Sequence, residues 1–258
     1  MLNAKRLLRA ALVILSTAAA ASAGQTGPDA GPAVSTSASM DVLSHYVWRG
    51  LRLSEGLVLQ PTVGVEHGGL SANLWWNFDG AGDRGPGSGR RLTETDITVA
   101  YSRPVGGASV TGGVIYYGMR GGPDTTELYA SWKRESLLEP AVTIYYDVDE
   151  GDGALAVLSI GHEMALGRGA LALAASASWN LKHKVMGPGT SGKPFAGPYH
   201  GELGMSLAIP IGTRLSVAPR AVYTFPLGDN ARHALEFSSW DGKTSRLLSG
   251  GIGIVAEF

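Results

Sequence analysis

One acidic run in this chain has residue types that could bind a metal ion. Asp147–Gly153 reads Asp-Val-Asp-Glu-Gly-Asp-Gly, so hard oxygen ligands of the kind that Ca²⁺ prefers lie close together. The run lacks the full spacing of a calcium-binding loop and also lacks its closing Glu. An exposed acidic turn is therefore the prediction for this run.

A second candidate is His200-Gly201-Glu202, which places two possible zinc ligands on one face of a strand. Zinc needs a third protein ligand, and the sequence does not indicate one. Gly85–Gly89 (Gly-Pro-Gly-Ser-Gly) resembles a phosphate-binding loop only in its glycines, because no helical pattern follows it. No metal ligand, cofactor or catalytic residue is expected.

A lipid hydrolase remains the enzyme alternative. Some outer-membrane barrels carry a catalytic Ser and His on their outer wall, and His162 is the outward candidate here. No serine of the Gly-x-Ser-x-Gly type accompanies it. The sequence therefore favours a protein that is not an enzyme.

The elements that hold these residues alternate apolar and polar residues with a period of two, which indicates strands. Leu171, Leu173, Ala175, Ala177 and Trp179, for example, oppose a face of small and polar residues. We predict twelve such strands, within a range of about 10 to 14. They are Val34–Gly50, Gly56–Glu66, Leu70–Phe78, Arg91–Arg103, Ala108–Met119, Thr125–Arg134, Pro140–Val148, Ala154–Met164, Ala170–Leu181, Gly197–Ile209, Arg214–Phe225 and Ser245–Phe258.

The connections differ in length according to their order. Those after even-numbered strands are short, as at 67–69 and 104–107, whereas several after odd-numbered strands are long and polar, as at 79–90 and 226–244. Short periplasmic turns that alternate with long outer loops are typical of outer-membrane barrels. With an even number of strands, both termini are expected on the periplasmic side.

The sequence of the first 23 residues predicts export from the cytoplasm. Residues 1–23 combine a basic start, an apolar stretch and Ala21-Ser22-Ala23, which predicts a cleaved signal peptide. Residues 24–33 read as a flexible lead-in. No later stretch approaches 18 apolar residues, so a membrane-embedded chain would have to be a closed barrel. The charge after residue 23 is −4, which argues against a nucleic-acid partner.

We therefore predict an all-β, transmembrane, antiparallel up-and-down β-barrel over residues 34–258, in the bacterial outer membrane and in contact with its lipid. The last strand ends on Phe258 and must pair with the first, because lipid tolerates no open sheet edge. It resembles the final strand of bacterial outer-membrane barrels. That resemblance implies that the barrel-assembly machinery is a partner and reads the terminal aromatic residue.

A more specific resemblance lies near the start of the barrel. Leu43–Gly56 contains Ser-His-Tyr-Val-Trp-Arg-Gly, and Gln60-Pro61 follows. This segment resembles the opening hairpin of the TorF-type family of outer-membrane porins, in which Asp usually stands where this chain has His45. The match covers about 25 residues, and it implies a small barrel with a pore but without an assigned substrate.

Strand parity then predicts the residues that face the lumen. A twelve-stranded barrel leaves a channel about 10 Å wide once side chains are counted, which suits small solutes or ions. An excess of inward carboxylates favours cations, and Arg49 and Arg220 are the candidates for a constriction. Two alternatives remain: a lumen closed by its own salt bridges, and a structural or surface-binding barrel that acts through its outer loops. The predicted pore-lining residues are Arg49, Glu66, Glu94, Asp96, Glu127, Lys133, Asp147, Glu202 and Arg220.

Overall fold

Twelve antiparallel strands close into one barrel in the computed structural model, which describes residues 33–80 and 91–258. Two short strands, β2 (Val47–Trp48) and β3 (Leu51–Arg52), pair only with each other and form a small separate ribbon. The predicted all-β barrel of twelve strands is thereby confirmed. The strands are β1 Ser35–Leu43, β2 Val47–Trp48, β3 Leu51–Arg52, β4 Val58–His67, β5 Leu70–Asp79, β6 Arg91–Val105, β7 Ala108–Met119, β8 Thr125–Arg134, β9 Ala141–Asp147, β10 Gly153–Leu166, β11 Gly169–Leu181, β12 Ala196–Pro210, β13 Leu215–Pro226 and β14 Leu247–Glu257.

The first and last wall strands close the barrel. β1 pairs with β14 from Ser37 opposite Glu257 to Leu43 opposite Gly251, and its other edge pairs with β4. Phe258 continues this ladder, because its backbone N–H donates to Thr36 O at 2.9 Å. Every wall strand therefore has a neighbour on both sides, and the expected pairing of the two ends is found.

Period-two alternation separates an apolar outer face from a polar inner face. On β5, Trp75 and Asn77 face inward, and Asn77 is buried. On β10, Leu158 and Ile160 are exposed on the outer face. The same alternation recurs around the wall, so large apolar side chains form an exposed outer band.

The longest described connections all lie at one end of the barrel. One end carries the short connections at 68–69, 106–107, 135–140, 167–168 and 211–214 together with both ends of the described chain. The other carries the longer segments at 44–57, 182–195 and 227–246 together with two short connections at 120–124 and 148–152. We call these the short-turn end and the long-loop end. Residues 1–32 and 81–90, which include the predicted signal peptide and the Gly85–Gly89 loop, lie outside the described residues.

The prediction of one continuous strand over Val34–Gly50 is wrong. β1 ends at Leu43, and the chain then turns into the lumen before β4 begins at Val58. Burial explains the departure, since the inserted segment hides Tyr46, Trp48 and Leu51 from solvent. A wall strand would instead have placed alternate apolar side chains on the outer face.

A helix was also missed, because we found only strand periodicity after residue 34. Helix α1, Asp229–Ser238, lies in the long connection before β14. Its buried residues are Ala231, Ala234 and Leu235, the i, i+3, i+4 spacing of one helical face. An apolar face of only three residues is too short to stand out from the surrounding polar sequence. Across residues 33–80 and 91–258, the structure contains no helix of the length and apolarity that a bilayer-crossing helix requires.

Candidate functional site in the barrel lumen

The ribbon of β2 and β3 forms a hairpin that enters the lumen from the long-loop end. Its two-residue turn consists of Arg49 and Gly50, whose φ values are +49° and +86°. Positive φ at both central residues is the geometry of a tight type I′ hairpin, which favours glycine at the second position. The Trp-Arg-Gly phrase of the sequence is therefore the tip of an inserted hairpin.

Aromatic contacts hold the hairpin against the wall. The ring of Tyr46 lies 5.6 Å from that of Trp75 on β5, and the ring of Trp48 lies 5.7 Å from that of Tyr117 on β7 in an edge-to-face arrangement. Pairs of this kind contribute about 0.5–1.5 kcal/mol each beyond the area that they bury. These contacts hold the hairpin in a fixed position against the barrel wall.

Two other long connections pack on the same region. A 3₁₀ turn at Lys184–Met186 buries Met186, whose carbonyl accepts a 2.9 Å hydrogen bond from the hydroxyl of Tyr199 on β12. Leu235 of α1 lies over the hairpin tip, where a Cβ on Gly50 would come within 3.0 Å of it. The hairpin, the 3₁₀ turn and α1 all contribute to one hydrophobic cluster at the long-loop end of the lumen.

Arg49, at the hairpin tip, forms the central ion pair of the lumen. Its guanidinium donates two hydrogen bonds of 2.6 Å to the two carboxylate oxygens of Glu127 on β8. The hydroxyl of Tyr117 donates to the same carboxylate at 2.9 Å, and the guanidinium lies 4.3 Å from the ring centre of Tyr145. Because both partners are buried, removal of either one would leave an uncompensated charge, at a cost of about 3–5 kcal/mol.

A second ion pair joins the hairpin to the segment after α1. Arg52 donates to Asp241 at 3.2 Å. Hydrogen bonds from the Thr244 hydroxyl and then from the Ser239 hydroxyl, reinforced by backbone N–H groups, lower the pKa of Asp241 despite an opposing effect of burial. Partial burial, followed by the positive charge of Arg52, lowers the pKa of His45. Both effects favour the neutral imidazole of His45 in this loop.

The wall residues that strand parity assigned to the lumen fall into separate groups. Glu127 pairs with Arg49 and lies beside Asp147 at the long-loop end, and Glu94 and Asp96 are buried on β6. The remaining contacts are Lys133 with Glu139 at 2.7 Å, Arg220 with Asp41 at 3.1 Å, and Glu202 with His200 at 3.5 Å, while Glu66 is half-buried opposite Ser35.

The two constriction candidates occupy different parts of the lumen. Arg49 lies on the inserted hairpin, not on a wall strand, and contacts β8. Arg220 lies on β13 and bridges to Asp41 on β1. The described interior thus carries basic groups that are paired with nearby carboxylates, as in Arg49 with Glu127 and Arg220 with Asp41.

His200 has a structural role that the sequence did not indicate. Its Nδ1 lies 2.6 Å from Ser178 Oγ, while Nε2 faces Glu202, so Ser, His and Glu lie in series. Ser178 Oγ also bonds to the backbone N–H and C=O of His200, each at 3.0 Å. These contacts lie where the register of β11 and β12 shifts between Ala177 and Trp179, so they stabilise a β-bulge.

The acidic run at 147–153 does not converge on one point. Asp147 points inward, where its Oδ1 accepts from the Thr125 hydroxyl at 2.7 Å and from the backbone N–H of Asp149 at 2.9 Å. Asp152 points outward and pairs with Lys184 at 2.7 Å. The carboxylates therefore diverge, as in the exposed acidic turn that we predicted, although Asp147 itself is buried.

His183 was missed altogether by the sequence analysis. It follows β11 in a connection, where no strand parity assigns it a face, yet its side chain is fully buried. Its Nε2 lies 3.1 Å from Glu127 Oε1 and 3.8 Å from Asp147 Oδ2. The pairing of β8 with β9, of β9 with β10 and of β10 with β11 brings these three residues together. A single sequence does not show the depth at which a loop packs.

Solved structures share this architecture. The NanC porin aligns with a TM-score of 0.50 at 11% identity, over 87% of this chain and 99% of that chain. The translocator domain of the autotransporter NalP from Neisseria meningitidis aligns with a TM-score of 0.49 at 12% identity, over 92% and 91% of the two chains. An outer-membrane channel from Pseudomonas putida F1 gives 0.45 at 9% identity, over 91% and 100%.

No protein-family model and no curated protein matches the sequence. The fold and the lumen define this chain as a closed, twelve-stranded antiparallel β-barrel. At 11% identity the likeness to the NanC porin concerns this fold alone.

Proposed function

We propose that this chain is a bacterial outer-membrane porin through which small solutes or ions diffuse passively. The observation that carries the proposal is the closed wall of twelve strands, with large apolar side chains outside and charged side chains inside. A closed barrel satisfies every backbone hydrogen-bonding group within the sheet, as a lipid environment requires.

The outer face supports contact with membrane lipid. Large apolar side chains remain exposed on strand after strand, among them Val63, Ile97, Leu128, Ile160 and Leu203. An exposed apolar band that encircles a protein would aggregate in water, whereas a bilayer would cover it. Trp132 and Trp179 are also exposed on this face, in keeping with the aromatic residues that line membrane interfaces.

The inner face supports passage of polar solutes. Below the hairpin the lumen wall carries hydroxyl groups, such as Ser102 with Ser109 at 2.9 Å and Ser131 with Thr143 at 2.9 Å. Carboxylates outnumber basic groups on this face, which favours cations. The hairpin with Arg49 at its tip is the constriction, because it narrows the lumen at the long-loop end.

The orientation and partners belong to the same proposal. Short turns and both described chain ends lie together, so we place them in the periplasm and the long loops outside the cell. The barrel-assembly machinery would read the strand that ends on Phe258. The resemblance to the TorF-type porins supports the proposal of a porin. The sequence phrase that carries this resemblance includes Arg49 and Gly50, which form the tip of the inserted hairpin. No catalytic residue is assigned.

Single-channel recording in planar bilayers tests the proposal. The refolded barrel should produce discrete current steps, with a reversal potential in a salt gradient that favours cations. Trp48→Ala removes bulk from the hairpin without a change in charge, so larger current steps are expected from this variant. Trp132→Ala, on the outer face, is the control and should leave the current unchanged. Absence of current from both the unaltered chain and Trp48→Ala would contradict the proposal and favour a closed barrel.

A further inference from the structure

We infer that Glu127, Asp147 and His183 form a binding site for a divalent metal ion of the zinc type, at the long-loop end of the lumen. Each residue offers one ligand atom, and the three atoms lie within 4.8 Å of one another. Imidazole nitrogens and carboxylate oxygens both bind Zn²⁺, and a set of three protein ligands leaves a fourth position for water.

Hydrogen bonding alone does not account for the cluster. The single N–H that His183 Nε2 can carry donates to Glu127 Oε1 at 3.1 Å. Asp147 Oδ2 lies 3.8 Å from the same Nε2, which is beyond hydrogen-bonding distance. Two ligands of a tetrahedral Zn²⁺ ion, each about 2.0–2.1 Å from the metal, lie about 3.3–3.4 Å apart. The two distances from His183 Nε2 bracket that separation.

An unpartnered oxygen points to the missing ligand. Asp147 is 1% exposed, and its Oδ2 has no hydrogen-bond partner, whereas Oδ1 already has two. A buried carboxylate oxygen without a partner is costly, and buried charges are normally paired or coordinate metals. Because Arg49 is committed to both oxygens of Glu127, it does not neutralise Asp147.

The neighbouring charges permit a divalent ion beside Arg49. Glu127 and Asp147 supply two negative charges, and the buried carboxyl groups of Glu94 and Asp96 on β6 lie two strands from Glu127. Glu127 can bridge, with Oε1 on the metal while Oε2 keeps its bonds to Arg49 and Tyr117. The preference for zinc follows from the imidazole, since Ca²⁺ requires six to eight oxygen ligands.

The surrounding backbone holds the ligands in place. His183 N–H donates to Asn180 Oδ1 at 2.9 Å, and Lys184 N–H donates to Gly151 O at 2.8 Å. Gly151 lies so close that an added Cβ would approach the His183 ring and the Asp147 side chain, at 2.3 Å and 2.6 Å. Only glycine fits there, so the acidic turn after β9 is packed directly on the site.

Zinc titration of the refolded, chelator-treated barrel in detergent tests the inference. Isothermal titration calorimetry should give one Zn²⁺ per chain, and Co²⁺ should produce the visible absorption bands of a four-coordinate site. We expect His183→Ala to abolish both results and Asp147→Asn to weaken binding at least about tenfold. His162→Ala is the matched control, because His162 is on the outside and contacts only Leu137 O among described partners.

The outcomes separate this inference from the proposed channel. Absence of Zn²⁺ binding, or binding that is unchanged in both His183→Ala and Asp147→Asn, would overturn the metal site and leave the porin proposal intact. Stoichiometric binding by a barrel that gives no current would contradict only the porin. The shift to slower migration on heating in gel electrophoresis, which folded barrels show, checks that each variant is folded before titration.

Discussion

Arg49 and Glu127 are 78 residues apart in the sequence, and their side chains form a buried, bidentate ion pair with both N–O distances at 2.6 Å. The pair joins the tip of the inserted hairpin to wall strand β8. It therefore couples the position of the hairpin to the wall of the lumen. A loop whose tip carries an ion pair of this kind is a structural part of the barrel.

Breaking this pair should destabilise the barrel. Arg49→Ala leaves Glu127 buried without its counter-charge. The free energy of unfolding measured in urea should therefore fall by about 3–5 kcal/mol. The double variant Arg49→Met with Glu127→Leu removes both charges and should recover most of that loss. Lys184→Ala is the control, because its pair with Asp152 is exposed and contributes about 0–1 kcal/mol. Equal losses for Arg49→Ala and Lys184→Ala would contradict the assignment.

The hairpin turn should tolerate no side chain at Gly50. Its φ of +86° disfavours other residues, and a Cβ would lie 3.0 Å from Leu235 Cδ2 and 3.2 Å from His200 Cβ. We expect Gly50→Val to lower the free energy of unfolding by about 1–3 kcal/mol through backbone strain. Steric overlap of the new side chain with Leu235 and His200 should lower it further. Gly212→Val is the comparison, because nothing lies within 4 Å of its Cβ position. Urea midpoints in detergent measure both.

Arg220 provides a test of the lumen charge pattern. It faces inward from β13 and bridges to Asp41 on β1 at 3.1 Å. Arg220→Ala removes a cation from the wall, so single-channel conductance should change and cation preference should increase. Arg103→Ala, at an exposed position near the short-turn end of β6, serves as the control. An unchanged current in Arg220→Ala would exclude this residue from the conduction path.

Most of the wall was predictable because alternation and turn residues are local properties of the sequence. The observed β7 and β8 have the predicted bounds, Ala108–Met119 and Thr125–Arg134. The hairpin was not predicted, because its Tyr46 and Trp48 continue the alternation of β1, and only tertiary contacts distinguish lumen from wall. His183 was missed for a related reason, since burial of a loop residue depends on packing between distant segments.

Asp241 should make stability depend on pH. Hydrogen bonds lower its pKa in the folded state, so its contribution is fully present above the unfolded pKa of about 3.9 and declines as pH falls toward the lowered value. Asp241→Asn should therefore melt at a lower temperature than the unaltered chain at pH 7. The difference should narrow below about pH 4. Glu150→Gln, an exposed loop change, should show no such pattern.

Phe258 tests the proposed assembly partner separately from the pore. Its side chain is 67% exposed on the outside, whereas its backbone N–H and C=O both bond to Thr36 of β1. Phe258→Ala keeps those backbone bonds, so barrel closure and single-channel current after refolding should be unchanged. If the assembly machinery reads the aromatic ring, the amount of this variant in the outer membrane of cells should fall severalfold. Leu215→Ala is the control, since Leu215 is an exposed outer-face residue on β13, at the same end of the barrel. Normal outer-membrane levels of Phe258→Ala would show that the ring is not recognised, and reduced current after refolding would show that it acts through the fold.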